Sequence, residues 1–112
     1  MHEFSIVSGI IEIVTDSALK HNVQHVTMVE IEAGEASGVV KEAMDFAWEA
    51  AKKGTILENA QLKIISVPIR AQCKKCLTVF QASAVFDVCP SCKEMNPDII
   101  SGRELRVISI EA

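Results

Sequence analysis

The sequence predicts an α+β fold, with two helices packed on a small three-stranded mixed sheet and an inserted zinc-ribbon-like module of four cysteines. Three observations predict it. Two stretches repeat apolar residues at helical spacing. Three others are β-branched or alternate with a period of two. Two C-x-x-C pairs, with twelve residues between them, fall just before the last of those strands.

The first helix is predicted over Glu3 to His21. Val7, Ile10, Ile11, Val14 and Ala18 recur at i, i+3, i+4, i+7 and i+11, one apolar stripe. Glu3 and Lys20 suit the positive and negative ends of the helix dipole, and Asn22 can adopt the left-handed stop. From Val26 to Ala33 the period falls to two. Thr27, Val29, Ile31 and Ala33 share one face, Glu30 and Glu32 the other, as in a strand with one buried face. Gly34 begins a turn, and Ser37 is placed to cap the second helix. That helix carries Val40, Ala43, Met44, Ala47, Trp48 and Ala51 on its stripe, with Gly54 at the position of a C-terminal glycine. Leu62 to Ile69 and Leu105 to Ile110 read as the second and third strands, the former ending near Pro68. The last strand is expected to return to the first sheet. The chain then divides into an α/β domain, 1–70 plus 103–112, and a metal-binding module, 71–102.

Composition narrows the function. The chain has 112 residues, 49% of them hydrophobic, enough for a real core. No run approaches the roughly 20 apolar residues of a membrane span. No basic region or cleavage site marks a secretory signal, so a cytoplasmic protein is expected. Disulfides are rare in that compartment. The net charge is −4, and Tyr is absent. Nucleic acid, which needs clustered Lys and Arg and stacking aromatics, is a poor match.

Cys73-Lys74-Lys75-Cys76 and Cys89-Pro90-Ser91-Cys92 form two knuckles. Each is a tight turn that aims two sulfurs at one point, and together they supply the four soft ligands of a tetrahedral zinc ion. A thioredoxin-like redox motif needs only one such pair. Four protein ligands close the site, so the zinc is structural, and it supplies folding energy to a segment too short to bury much core.

His2 carries a second, distinct chemistry. Methionine removal favours a small second residue, so Met1 is expected to remain. The Met1 amine, the His2 amide nitrogen and the His2 imidazole can close adjacent chelate rings, and Glu3 can add its amide or its carboxylate. A deprotonated amide is a planar donor suited to square-planar nickel or copper. His21 and His25 read as helix-end and loop histidines.

Met1-His2-Glu3-Phe4-Ser5 resembles the M-H-E-x-S start of the HypA/HybF nickel metallochaperones. The resemblance continues through Ile31-Glu32-Ala33-Gly34-Glu35-Ala36-Ser37-Gly38, Gly54-Thr55, both cysteine pairs and Gly102-Arg103-Glu104-Leu105, and so covers essentially the whole chain. Departures are small. Ala33 stands where the family often has Gly or another small residue, and Leu77 and Lys93 follow the knuckles where Gly is common. The resemblance implies delivery of Ni(II) as cargo during [NiFe]-hydrogenase maturation, and in some organisms urease maturation. The implied partners are a HypB-type GTPase, the apo-hydrogenase large subunit and, where urease is served, its maturation proteins, with a homodimer left open. It implies nickel at Met1, His2 and Glu3, and structural zinc at Cys73, Cys76, Cys89 and Cys92. Some relatives add a nickel ligand near the zinc module, but no His stands there in this sequence.

Two other classes compete: a zinc-ribbon module that binds nucleic acid, and an adaptor that uses zinc to shape a docking surface. Neither accounts for Met1-His2-Glu3. No enzyme is expected, because there is no open metal site among the cysteines, no phosphate loop and no nucleophile beside a base. Glu12, Asp16, Glu42, Asp45 and Glu49 lie off the apolar stripes and are the expected docking face for the GTPase.

Overall fold

A computed structural model describes residues 2–85 and 87–112. The elements run α1 (Glu3–Lys20), β1 (Met28–Gly34), α2 (Lys41–Ala51), β2 (Gln61–Val67), β3 (Arg70–Gln72), β4 (Val79–Gln81), β5 (Asp98–Ser101) and β6 (Leu105–Glu111). Strands β2, β1 and β6 form one sheet in that order, and β4, β3 and β5 form another. Thr27 N–H donates to Glu111 O and Gly34 N–H to Glu104 O. One partner rises along the chain as the other falls, so β1 and β6 are antiparallel. Gln61 N–H donates to Thr27 O and Glu35 N–H to Val67 O. These rise together, so β1 and β2 are parallel. The first sheet is mixed, and the last strand returns to it as expected.

The chain divides into two compact units. One comprises residues 1–32, 39–65 and 106–112, the other 33–38 and 66–105. The second unit thus includes the cysteine segment 71–102 and adds the loop 33–38 and short flanks on either side.

In the first unit the stripe Val7, Ile10, Ile11, Val14 and Ala18 is buried, together with Val29 and Ile31 of β1 and Met44, Ala47 and Trp48 of α2. Trp48 is the largest of these, and its indole Nε1 donates to Ala60 O at 3.0 Å. Burying the ring with its one donor satisfied makes it the main anchor of α2, and Trp48→Ala would cost about 3–5 kcal/mol. The C-terminus of α1 is a Schellman stop. Val23 N–H reaches back to Ala18 O, Asn22 N–H to Leu19 O, and Asn22 takes φ 58°. Glu30 and Glu32, on the other face of β1, pair across the sheet with Lys63 and Arg106.

The cap expected of Ser37 is corrected by the structure. Its hydroxyl donates to Gly34 O at 2.6 Å, and Gly38 takes φ +81°. A left-handed residue cannot continue into a helix. Helix α2 therefore starts three residues later than that cap implies, with Val40 at its N-cap position and no side-chain cap bond there.

In the second unit β3 pairs antiparallel with both β4 and β5, with a register shift between Arg70 and Ala71 on the β5 side. Ile69, Ala71 and Ala82 make a small core of their own. The loop 33–38 is tied to the base of this unit. Ala36 N–H donates to Gly102 O, and the Glu35 carboxylate accepts Ile69 N–H at 3.1 Å. A Cβ on Gly34 would overlap the carbonyl of Gly102. Gly102 is at φ +110°, and a Cβ there would lie 2.8 Å from Ile69 Cα. Two backbones cross here at a distance that only glycine permits.

Candidate metal centre

The four cysteines sit on two turns built alike. Cys73 follows β3 directly, and its knuckle turns the chain into β4. The second knuckle, Cys89 to Cys92, precedes β5. In the first, Cys73 N–H donates to Thr78 O and Leu77 N–H to Cys73 O. In the second, Cys89 N–H donates to Glu94 O and Lys93 N–H to Cys89 O. Leu77 and Lys93 take φ +64° and +65° at matching positions. This repeated backbone pattern brings all four sulfurs within 4.8 Å of one another. Between the knuckles, Cys73 Sγ lies 3.5 Å from Cys92 Sγ and Cys76 Sγ 3.6 Å from Cys89 Sγ. A tetrahedral ion with metal–sulfur bonds of about 2.3 Å needs sulfur–sulfur edges of about 3.8 Å. The donor set and its spacing therefore fit a single thiophilic cation.

Around these sulfurs the hydrogen bonds favour thiolates. Lys75 N–H and Cys76 N–H both donate to Cys73 Sγ at 3.4 Å, and the Cys76 N–H holds the Cys73 thiol below its ordinary value. Cys76 Sγ lies 3.1 Å from Thr78 Oγ1. That hydroxyl, with the Thr78 backbone, brings the Cys76 thiol down to about 6. At Cys92 the Glu94 N–H works in the same direction, but the neighbouring sulfurs, Cys73 first, and burial outweigh it and push the thiol up to about 12. Four adjacent sulfurs cannot all carry charge unless a cation sits among them. Cys73 and Cys89 are buried, while Cys76 and Cys92 face outward. Among the described residues this is the only group of three or more His, Cys, Asp or Glu side chains placed to hold a metal.

At the other candidate site, Met1 lies outside the described residues. His2 stands at the N-cap position of α1, exposed, with no side-chain cap bond, and its carbonyl accepts Ile6 N–H at 2.9 Å. Glu3 is 7% exposed and its Oε2 accepts Val40 N–H at 3.2 Å, linking the first turn of α1 to the start of α2. Val40 N–H is one of the partners of the Glu3 carboxylate, whose hydrogen bonds hold it down at about 2, and His2 is exposed. His21 Nδ1 lies 2.8 Å from Ser17 O at the end of α1, and His25 is exposed beyond it. Thr78 was not singled out by sequence reasoning. Its only signal is its position two residues after Cys76.

Comparison with known proteins accords with this geometry. The HypA family model, described as hydrogenase/urease nickel incorporation, metallochaperone, matches residues 1–112. The chain is 42% identical over 111 residues to the hydrogenase maturation factor HypA of Geobacter sulfurreducens, covering 99% of this chain and 98% of that one. It is 34% identical over 111 residues to the hydrogenase maturation factor HypA of Trichodesmium erythraeum, covering 99% and 95%. The solution structure of the Ni metallochaperone HypA from Helicobacter pylori matches with a TM-score of 0.71 at 31% identity, covering 99% of this chain and 97% of that one. A second solution structure of HypA protein matches with a TM-score of 0.74 at 31% identity, covering 99% and 95%. With a family match from end to end, the fold of its solved relatives and a four-cysteine metal centre in place, the chain belongs to the HypA family of nickel metallochaperones for hydrogenase maturation.

Proposed function

We propose that this protein carries Ni(II) on its N-terminus in the cytoplasm and hands it over for [NiFe]-hydrogenase maturation, or for urease where that enzyme is served. Its four cysteines hold one structural zinc. The carrying observation for the nickel site is the contrast at the start of α1. His2 is exposed and makes no cap bond, while Glu3 is buried and its carboxylate accepts Val40 N–H. Nickel then takes the Met1 amine, backbone nitrogen and the His2 imidazole, with Glu3 contributing its amide rather than its side chain. The first turn of a helix has no intrahelical carbonyl for its amide nitrogens, so the fold leaves those donors to other partners. Binding displaces protons from imidazole and amide and so weakens as pH falls. For the cysteines, four thiolates at tetrahedral spacing with no open position support zinc in a structural role. In this reading the protein is a carrier and catalyses nothing. Its partners are a HypB-type GTPase and the apo-hydrogenase large subunit.

Calorimetry with a native, untagged N-terminus tests the nickel site. His2→Ala is expected to abolish specific nickel binding and leave the zinc content and fold intact. Adding one or two residues before Met1 is expected to weaken binding by removing the amine donor. Nickel bound by His2→Ala as tightly as by wild type, with an unchanged X-ray absorption spectrum, would overturn the site.

A further inference from the structure

We infer that Thr78 is a positioning residue of the metal centre, whose hydroxyl donates to the Cys76 thiolate and holds down the reactivity of the outward-facing sulfur. The inference rests on zinc at the four cysteines. Cys76 is exposed, so it is a sulfur that solvent electrophiles can reach while the metal is bound. Thr78 Oγ1 is 3.1 Å from its Sγ. The same residue's carbonyl accepts Cys73 N–H at 2.9 Å. Thr78 thus grips both cysteines of the first knuckle, one through its backbone and one through its side chain. Gln72 steadies the turn from the other side, with Nε2 donating to Leu77 O at 3.1 Å.

A metal-bound thiolate keeps lone pairs that can attack an electrophile. A hydrogen bond from a hydroxyl draws on that electron density, lowers the nucleophilicity and fixes the sulfur's direction toward the metal. The buried Cys73 sulfur receives its hydrogen bonds from the two backbone N–H groups of its own turn. For Cys76 the larger contribution comes from a side chain, the Thr78 hydroxyl, beside that residue's backbone, so one substitution removes the hydroxyl and leaves the backbone donor in place. Valine has the shape of threonine without the donor, and serine keeps the donor without the methyl group.

The experiment uses the full-length zinc-loaded protein with iodoacetamide at less than one equivalent. Each first adduct is located by peptide mass spectrometry, and zinc is followed with a chromophoric chelator. In the reaction the cysteine sulfur forms a bond to the reagent's methylene carbon and iodide leaves. Zinc content is measured before alkylation for every variant. Thr78→Val is expected to speed the first alkylation at Cys76 by about threefold to tenfold, part of the worth of one charge-assisted hydrogen bond, because the sulfur keeps some of its charge in the transition state. Alkylation of Cys92, also outward-facing, serves as the internal reference and is expected to keep its rate. Zinc release is expected to follow the Cys76 adduct, and Thr78→Ser to restore the wild-type rate. An unchanged Cys76 rate in zinc-loaded Thr78→Val, or an equal rise at Cys92, overturns the role of Thr78 while the zinc reading stands. Wild-type protein that holds no zinc overturns both, and the metal analysis tells the two failures apart.

Discussion

Leu77 and Lys93 occupy the left-handed backbone region directly after each knuckle, where the turn favours a residue without a Cβ. Each has φ near +65° and donates its N–H to the carbonyl of the first cysteine of its pair, so the conformation is fixed by the turn itself. The strain of a non-glycine residue there is about 1–2 kcal/mol. Leu77 is 65% exposed, so removing its side chain forfeits little packing. Leu77→Gly and Lys93→Gly are each expected to stabilise the metal-loaded protein by up to about 1 kcal/mol, part of the relieved strain being offset by glycine's greater freedom when unfolded. Thermal unfolding with metal content monitored checks this, and lower midpoints in both variants would show that the side chains do more than tolerate the turn. Glu3 invites a second residue-level prediction. Its carboxylate accepts Val40 N–H, and Glu3→Gln leaves a weaker, neutral acceptor at the same place. Stability is expected to drop by about 1 kcal/mol, while nickel affinity changes far less than in His2→Ala. A loss of nickel binding equal to that of His2→Ala would make the carboxylate a ligand.

Legibility in the sequence tracked element length. The stripe of α1 and the alternation of β1 were readable because each repeats over enough residues to fix a period; the α1 stripe and Val29, Ile31 and Ala33 are buried as the period names, whereas Thr27 lies ahead of the strand and is exposed. Strands β3, β4 and β5 have three or four residues each, too few to show any period, so the second sheet was missed and its segment read only as a cysteine module. Ser37 was misread as a helix cap because residue type alone cannot reveal that Gly38 is left-handed and that the hydroxyl turns back to Gly34. The meeting of Gly34 with Gly102 was equally invisible, since sequence does not show which glycines touch. The gathering of the four cysteines was legible, because C-x-x-C spacing fixes local geometry whatever the rest of the chain does. The short strands also carry a prediction. Among the described residues their own core is Ile69, Ala71 and Ala82 with a few half-buried neighbours, so the metal is expected to supply much of their folding energy. Cys73→Ser is expected to lose the zinc and to loosen residues 71–102, with faster amide exchange in β3, β4 and β5. Helices α1 and α2 are expected to persist, because their stripes bury a separate core. A zinc-free variant that keeps full protection in β3 would contradict this.

A carrier must be recognised by what receives its cargo, and the charge on the helical surface bears on how this one is approached. Of the five acidic residues off the apolar stripes, two are engaged locally. Asp45 pairs with Lys41 at 2.9 Å and Glu49 with Lys52 at 2.9 Å. An exposed i,i+4 or i,i+3 pair adds little stability, but it cancels most of the long-range field its carboxylate presents to an approaching protein. Glu12 and Asp16 are exposed one turn apart on α1, the helix whose first turn follows His2, and Glu42 is exposed in the first turn of α2. Long-range attraction steers encounter and is screened by salt. If a basic surface of the cognate HypB-type GTPase docks here, Glu12→Lys with Asp16→Lys is expected to slow association by about tenfold at low salt, with the difference from wild type shrinking as ionic strength rises. Asp45→Asn is expected to do less, because that charge is already met by Lys41. Dissociation rates are expected to change little, since rim charges act mainly on the approach. Stopped-flow association across a salt series measures all of this, and nickel calorimetry on the same variants shows that the cargo site is untouched. Association as fast in the double variant as in wild type at low salt would place the docking surface on another face of the molecule.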